Sequence, residues 1–96
     1  MTTQEEKISI LNNCLEQCEV RLKQDNNNRP LIIIKEVIEK IMSVALGKSQ
    51  ASPEMEENNK IGLFAVREFE PHDMEFANNI YRVIELNNEL RKASEQ

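Results

Sequence analysis

The stretch Pro30-Leu31-Ile32-Ile33-Ile34-Lys35-Glu36-Val37-Ile38-Glu39-Lys40-Ile41-Met42-Ser43-Val44-Ala45-Leu46 decides the fold class, because it admits two readings with opposite consequences. Its β-branched run Ile32-Ile33-Ile34 suits a buried strand, since branching at Cβ stiffens χ1 and packs well on a pleated surface. The charged residues decide against that. Lys35, Glu36, Glu39 and Lys40 recur at helical spacing, opposite a row made of Leu31, Ile34, Ile38, Ile41 and Ala45. A second row, Ile33, Val37 and Val44, widens the apolar arc, so this helix needs partners on more than one side and is expected at the centre of the core. Gly47 follows directly, where a residue without a side chain takes the left-handed cap.

The preceding helix is expected from about Thr3 to Gln24. It opens on Thr3-Gln4-Glu5-Glu6, in which a hydroxyl and a carboxylate three residues apart satisfy each other's backbone donors. Ile8, Leu11, Leu15, Cys18 and Leu22 align as its apolar stripe, widened by Ile10, Cys14 and Val20. Asp25-Asn26-Asn27-Asn28 then competes with helix through side-chain hydrogen bonds, and Pro30 suits the first turn of the next. Beyond Gly47, the linker Lys48-Ser49-Gln50-Ala51 leads to Ser52-Pro53-Glu54, a fresh helix start.

That third segment is harder to read. Met55, Gly62, Val66 and Phe69 share a helical face, while Asn58-Asn59 and Gly62 weaken the interior, so the expectation is a helix, whole or broken. The competing strand from Lys60 to Phe69 would find no partner strand within the chain. Pro71, His72 and Asp73 introduce a last helix from about Pro71 to Lys92. Its residues Phe76, Ile80, Val83, Asn87 and Leu90 repeat as a heptad stripe with one polar member, and a buried Asn at a seam fixes register. This stripe is the candidate dimer interface. The expected architecture is therefore all-α: a small antiparallel helical bundle of three long helices plus a shorter third-segment helix.

Ninety-six residues, 40% hydrophobic and 30% charged, fit a single helical domain over 1–96 and lie away from the composition of disordered chains. No run approaches the ~18 apolar residues of a membrane span, and Met1-Thr2-Thr3-Gln4-Glu5-Glu6 lacks the basic and apolar regions of a secretory signal. A cytoplasmic location is the expectation. Net charge is −5, and residues 52–75 alone carry it, with seven acidic side chains against two basic ones. Such a block repels nucleic-acid phosphates and anionic lipid, and raises the encounter rate with a cationic protein surface. Glu54, Glu56, Glu57, Glu68, Glu70 and Asp73 are accordingly the candidate partner-binding residues; an ordinary solvated face is the alternative reading of the same charges.

Candidate chemistry is thin. Cys14 and Cys18 lie four apart on one helical face, but a zinc site wants four ligands and the one histidine is His72, so core packing is the reading. Leu46-Gly47-Lys48-Ser49 resembles the end of a phosphate-binding loop, yet position 42 is methionine and a helix leads in, which leaves a helix cap and linker. Glu36-Val37-Ile38-Glu39 and Glu70-Pro71-His72-Asp73 are similar to the paired carboxylate motifs of all-α nucleotide pyrophosphatases, and that resemblance implies a magnesium-dependent enzyme. Pro71 at a helix start, however, frees Glu70 and Asp73 from sharing a helical face. No catalytic residue, metal ligand or cofactor is assigned. The expected function is non-enzymatic binding of a basic partner protein, most concretely as a bacterial immunity protein or antitoxin-like inhibitor. A homodimeric structural module and a pyrophosphatase-like enzyme are the alternatives.

Overall fold

The computed structural model describes residues 2–94 and, among them, contains helices and no strand. α1 spans Gln4–Gln24 and α2 spans Arg29–Ala45. A third helical segment follows in three pieces: a 3₁₀ helix Pro53–Lys60, a single α turn Ile61–Phe64 (α3), and a wide turn Ala65–Phe69. α4, Met74–Ser94, completes the chain.

Side-chain bonds between the ends fix the directions. Gln4 Nε2 donates to the Ala45 carbonyl at 2.6 Å and Cys18 Sγ to the Leu31 carbonyl at 3.2 Å, so α2 runs back along α1. Thr2 Oγ1 donates to Glu89 Oε1 at 3.0 Å and Asn79 Nδ2 to Gln17 Oε1 at 2.6 Å, so α4 is also antiparallel to α1. The third segment climbs against α4, with Asn58 meeting Asn87 and Glu70 meeting Tyr81. The result is an antiparallel bundle.

Local chemistry sets the boundaries. Thr3 and Glu6 form the reciprocal cap at the start of α1. α2 begins one residue earlier than its proline suggests, because Asn28 Oδ1 accepts from the Leu31 amide at 3.1 Å and makes Arg29 the first helical residue. Its end is the expected left-handed cap: Gly47 has φ 78°, Lys48 N–H donates to the Ser43 carbonyl at 2.9 Å, and Gly47 N–H to the Val44 carbonyl at 3.0 Å. The last helix starts at Met74 and not at Pro71. Residues 71–73 close the preceding wide turn, where His72 N–H reaches the Phe69 carbonyl at 3.0 Å, and Asp73 then caps α4 by accepting from the Phe76 amide at 3.4 Å.

α2 does not occupy the centre of the core. It buries Leu31, Ile34, Ile38, Ile41 and Ala45, but α4 packs against every other helical segment. Phe76, Ile80, Val83 and Asn87 are wholly enclosed within the chain and Leu90 is half-buried. The stripe read as a seam between two copies is therefore spent inside one copy, because α1, α2 and the third segment together cover it. A dimer through this seam would have to open the core.

The third segment keeps one buried line by changing pitch. Met55, Ile61, Ala65 and Phe69 are buried and Asn58 is turned inward with them, at spacings of three through the 3₁₀ part and four through the α and wide turns. A face drawn at constant α pitch puts Val66 inward instead; it is outward, and Ile61 and Ala65 take its place. Gly62 faces α4 closely enough that a Cβ would lie 3.0 Å from Ile84 Cδ1.

Asn87 locks this segment to α4. Its Nδ2 donates to the Met55 carbonyl at 2.8 Å and to Asn59 Oδ1 at 3.0 Å, and its Oδ1 accepts from Asn58 Nδ2 at 3.0 Å. Asn59 Nδ2 donates in turn to Asn88 Oδ1 at 2.9 Å. The amide is fully satisfied, so its burial stabilises the pairing instead of penalising it. Asn87→Ala should lower stability by roughly 2 to 4 kcal/mol, because it strands three polar atoms at once. Asn87→Leu, with similar bulk and no amide, should be no milder. A melting temperature unchanged in the leucine variant would show that the hydrogen bonds do not carry the effect.

Candidate protein-binding site

The acidic segment divides into two groups once its residues are placed. Glu54, Glu56 and Glu57 lie exposed on the 3₁₀ helix and Glu68 lies exposed on the wide turn; among the described residues none of the four makes a hydrogen bond or ion pair within the chain. Their charge is uncompensated and faces solvent.

Asp73 and Glu70 are different: each carboxylate has a partner within the chain. Arg21 grips Asp73 through both carboxylate oxygens, Nε to Oδ2 at 2.7 Å and Nη2 to Oδ1 at 3.1 Å. The same guanidinium lies 4.4 Å from the centre of the Phe76 ring and donates to the Gln17 carbonyl at 3.0 Å. These bonds tie the end of α1 to the start of α4, and Arg21 holds the Asp73 carboxyl below the usual carboxylate range. Glu70 Oε2 accepts from the Tyr81 hydroxyl at 2.5 Å, which raises the Tyr81 phenol above its ordinary value. Both carboxylates brace the frame that carries the other four.

The pyrophosphatase-like motifs are not brought together around a metal. Glu36 and Glu39 are exposed on α2, while Glu70 and Asp73 are held by Tyr81 and Arg21. Among the described residues no three His, Cys, Asp or Glu side chains gather as a metal site. His72 sits exposed in the turn before α4, its ring centre 6.5 Å from that of Phe69 with the planes at 63°. Leu46-Gly47-Lys48-Ser49 is the α2 cap and the linker after it. Among the described residues no helix is long and apolar enough to cross a membrane.

Two features of the surface were not read from the sequence. One is an open groove of about 840 Å³ between α1 and α4, lined by Ile8, Asn12, Glu16, Leu46 and Arg82 among others. The other is the exposure of Leu63 and Val66 on the third segment, which also carries the free carboxylates. A pitch of three in the 3₁₀ part moves the inward line from Gly62 and Val66 to Ile61 and Ala65, which leaves Val66 outward.

A family model named Tsi6 matches residues 6–89, from the first turn of α1 to near the end of α4. The chain belongs to the Tsi6 family. Tsi6 is a family of type VI secretion immunity proteins, and membership supports an immunity-protein-like, protein-binding role. The match to Tsi6 takes in every element described above, including the third segment and its carboxylates. No curated protein and no solved structure matched the chain.

Two outcomes follow from the side-chain environments. Because Asp73 titrates lower when folded than when unfolded, its contribution is present at neutral pH and is lost as the pH falls through and below about 4. The stability gap between the wild type and Asp73→Asn should therefore narrow in acid, as urea titrations at neutral pH and at low pH will record. Burial pushes the Cys14 thiol up to about 12 and the Cys18 thiol up to about 11, so both stay protonated at neutral pH. Iodoacetamide should leave the folded chain unlabelled and modify both thiols only after denaturation.

Proposed function

We propose that this chain is an immunity protein that neutralises a toxin by binding it, and that it docks Glu54, Glu56, Glu57 and Glu68 on a basic surface of that toxin. Tsi6 membership supports the binding role. The observation that carries the docking face is the set of four exposed carboxylates on one helical segment with no partner among the described residues. Surplus charge of one sign costs a fold self-repulsion, and it accelerates capture of an oppositely charged partner.

In this reading the chain inhibits without catalysis, by covering part of the toxin surface, and acts in the cytoplasm of the cell it protects. Buried reduced cysteines suit that compartment. Glu70 and Asp73 serve the face indirectly, by holding the turn after it to α1 and α4.

The type VI toxin domains of the native host, each expressed singly with this chain, supply the test. Growth should be rescued for one of them, and that toxin domain should bind the purified chain with an affinity that falls from low to high ionic strength. Glu54→Lys combined with Glu56→Lys and Glu57→Lys should weaken binding at low salt by at least about tenfold, chiefly through slower association. Rescue and binding that survive this charge reversal unchanged would reject the acidic docking face. Rescue of no toxin would reject the immunity role.

A further inference from the structure

We infer that Leu63 and Val66 form the apolar centre of the toxin-binding face and seat against an apolar side chain ringed by basic groups on the toxin. This rests on the reading above and adds to it the contact that sets affinity. Leu63 is 57% exposed and Val66 52% exposed, three residues apart on the outer side of the third segment.

Single exposed apolar side chains are ordinary on a protein surface. The other large ones among the described residues, Val20, Ile32, Leu46 and Met74, each stand at least eight positions from any other in the chain. The third segment differs because it exposes two together. The fold does not use them: Met55, Ile61, Ala65 and Phe69 already complete the inward line. Val66 belongs to the wide turn, in which Glu70 N–H reaches back to the Ala65 carbonyl at 2.7 Å, a local geometry found often at functional sites.

The surroundings specify the occupant. Exposed Lys60 and Arg67 flank the pair, and Glu54, Glu56, Glu57 and Glu68 lie beyond them on the same segment. Four carboxylates against two cations leave the segment net negative, so a basic surface fits it. An apolar centre inside a charged rim is the usual anatomy of a protein interface, and its affinity concentrates in the few side chains that become fully desolvated.

The experiment uses the toxin domain rescued in the growth assay, the full chain, and the double variant Leu63→Ser with Val66→Ser. Both positions are exposed, so the variant should melt with the wild type. Its affinity should fall by about 10- to 100-fold, equally at low and high salt and mainly through faster dissociation. Affinity within about twofold of wild type, while the charge-reversed variant still loses binding, overturns the inference and leaves the docking face standing. Insensitivity to both variants overturns both. Sedimentation of the free chain adds one more outcome: a dimer that dissolves in the serine variant assigns the pair to a second copy and overturns the inference.

Discussion

A single amide, that of Asn87, sets the register on which the rest of the molecule depends. Enclosed on all sides, it spends both N–H groups on the Met55 carbonyl and Asn59 Oδ1 and takes one hydrogen bond from Asn58. In an interior of low dielectric, a slip of one residue would leave these groups unpaired at a cost no apolar contact there repays. At the other end of the segment Phe69 meets Phe76 edge to face, 4.9 Å between centroids and 90° between planes. With both ends pinned to α4, the segment between them must match its buried positions to a fixed neighbour. It does so by winding tightly first and widely last, which keeps Met55, Asn58, Ile61, Ala65 and Phe69 turned to one side.

The surface follows from that constraint. Whatever the inward line leaves over is presented outward on a backbone held at two points, which lowers the ordering cost when a partner binds. The leftovers are four carboxylates, two cations and two apolar side chains. The division of labour among the acidic residues is equally physical. Asp73 and Glu70 find Arg21 and Tyr81 within reach and become braces, while the carboxylates of the 3₁₀ helix find no partner among the described residues. Membership of an immunity-protein family supports a protein-binding role, and in the function proposed above these free carboxylates are what meets the partner.

Much of the bundle was legible in the residues. The capping box at Thr3 and Glu6, the left-handed glycine at 47 and the strict helical spacing of Leu31, Ile34, Ile38, Ile41 and Ala45 are local signals that tertiary contacts had no reason to override. The third segment was not, because a face drawn at constant pitch misplaces Val66 once the helix tightens and widens. Asn87 was recognised as a buried polar residue that specifies register, but the register is between two segments of one chain. Nothing in a heptad stripe distinguishes a partner in the same chain from one in another. The carboxylates were legible as a charge block; which of them were free was not, since Arg21 lies more than fifty positions from Asp73 and only the fold joins them.

In the function proposed above, the third segment is the recognition element and α4, to which both its ends are pinned, is its support. Amide hydrogen exchange of the chain, with and without its toxin, addresses this directly. On toxin binding, exchange should slow at the amides of residues 53–69, with the outer faces of α1 and α2 unchanged. Protection confined to α1 and α2, or to the groove between α1 and α4, with the third segment exchanging as in the free chain, would contradict it.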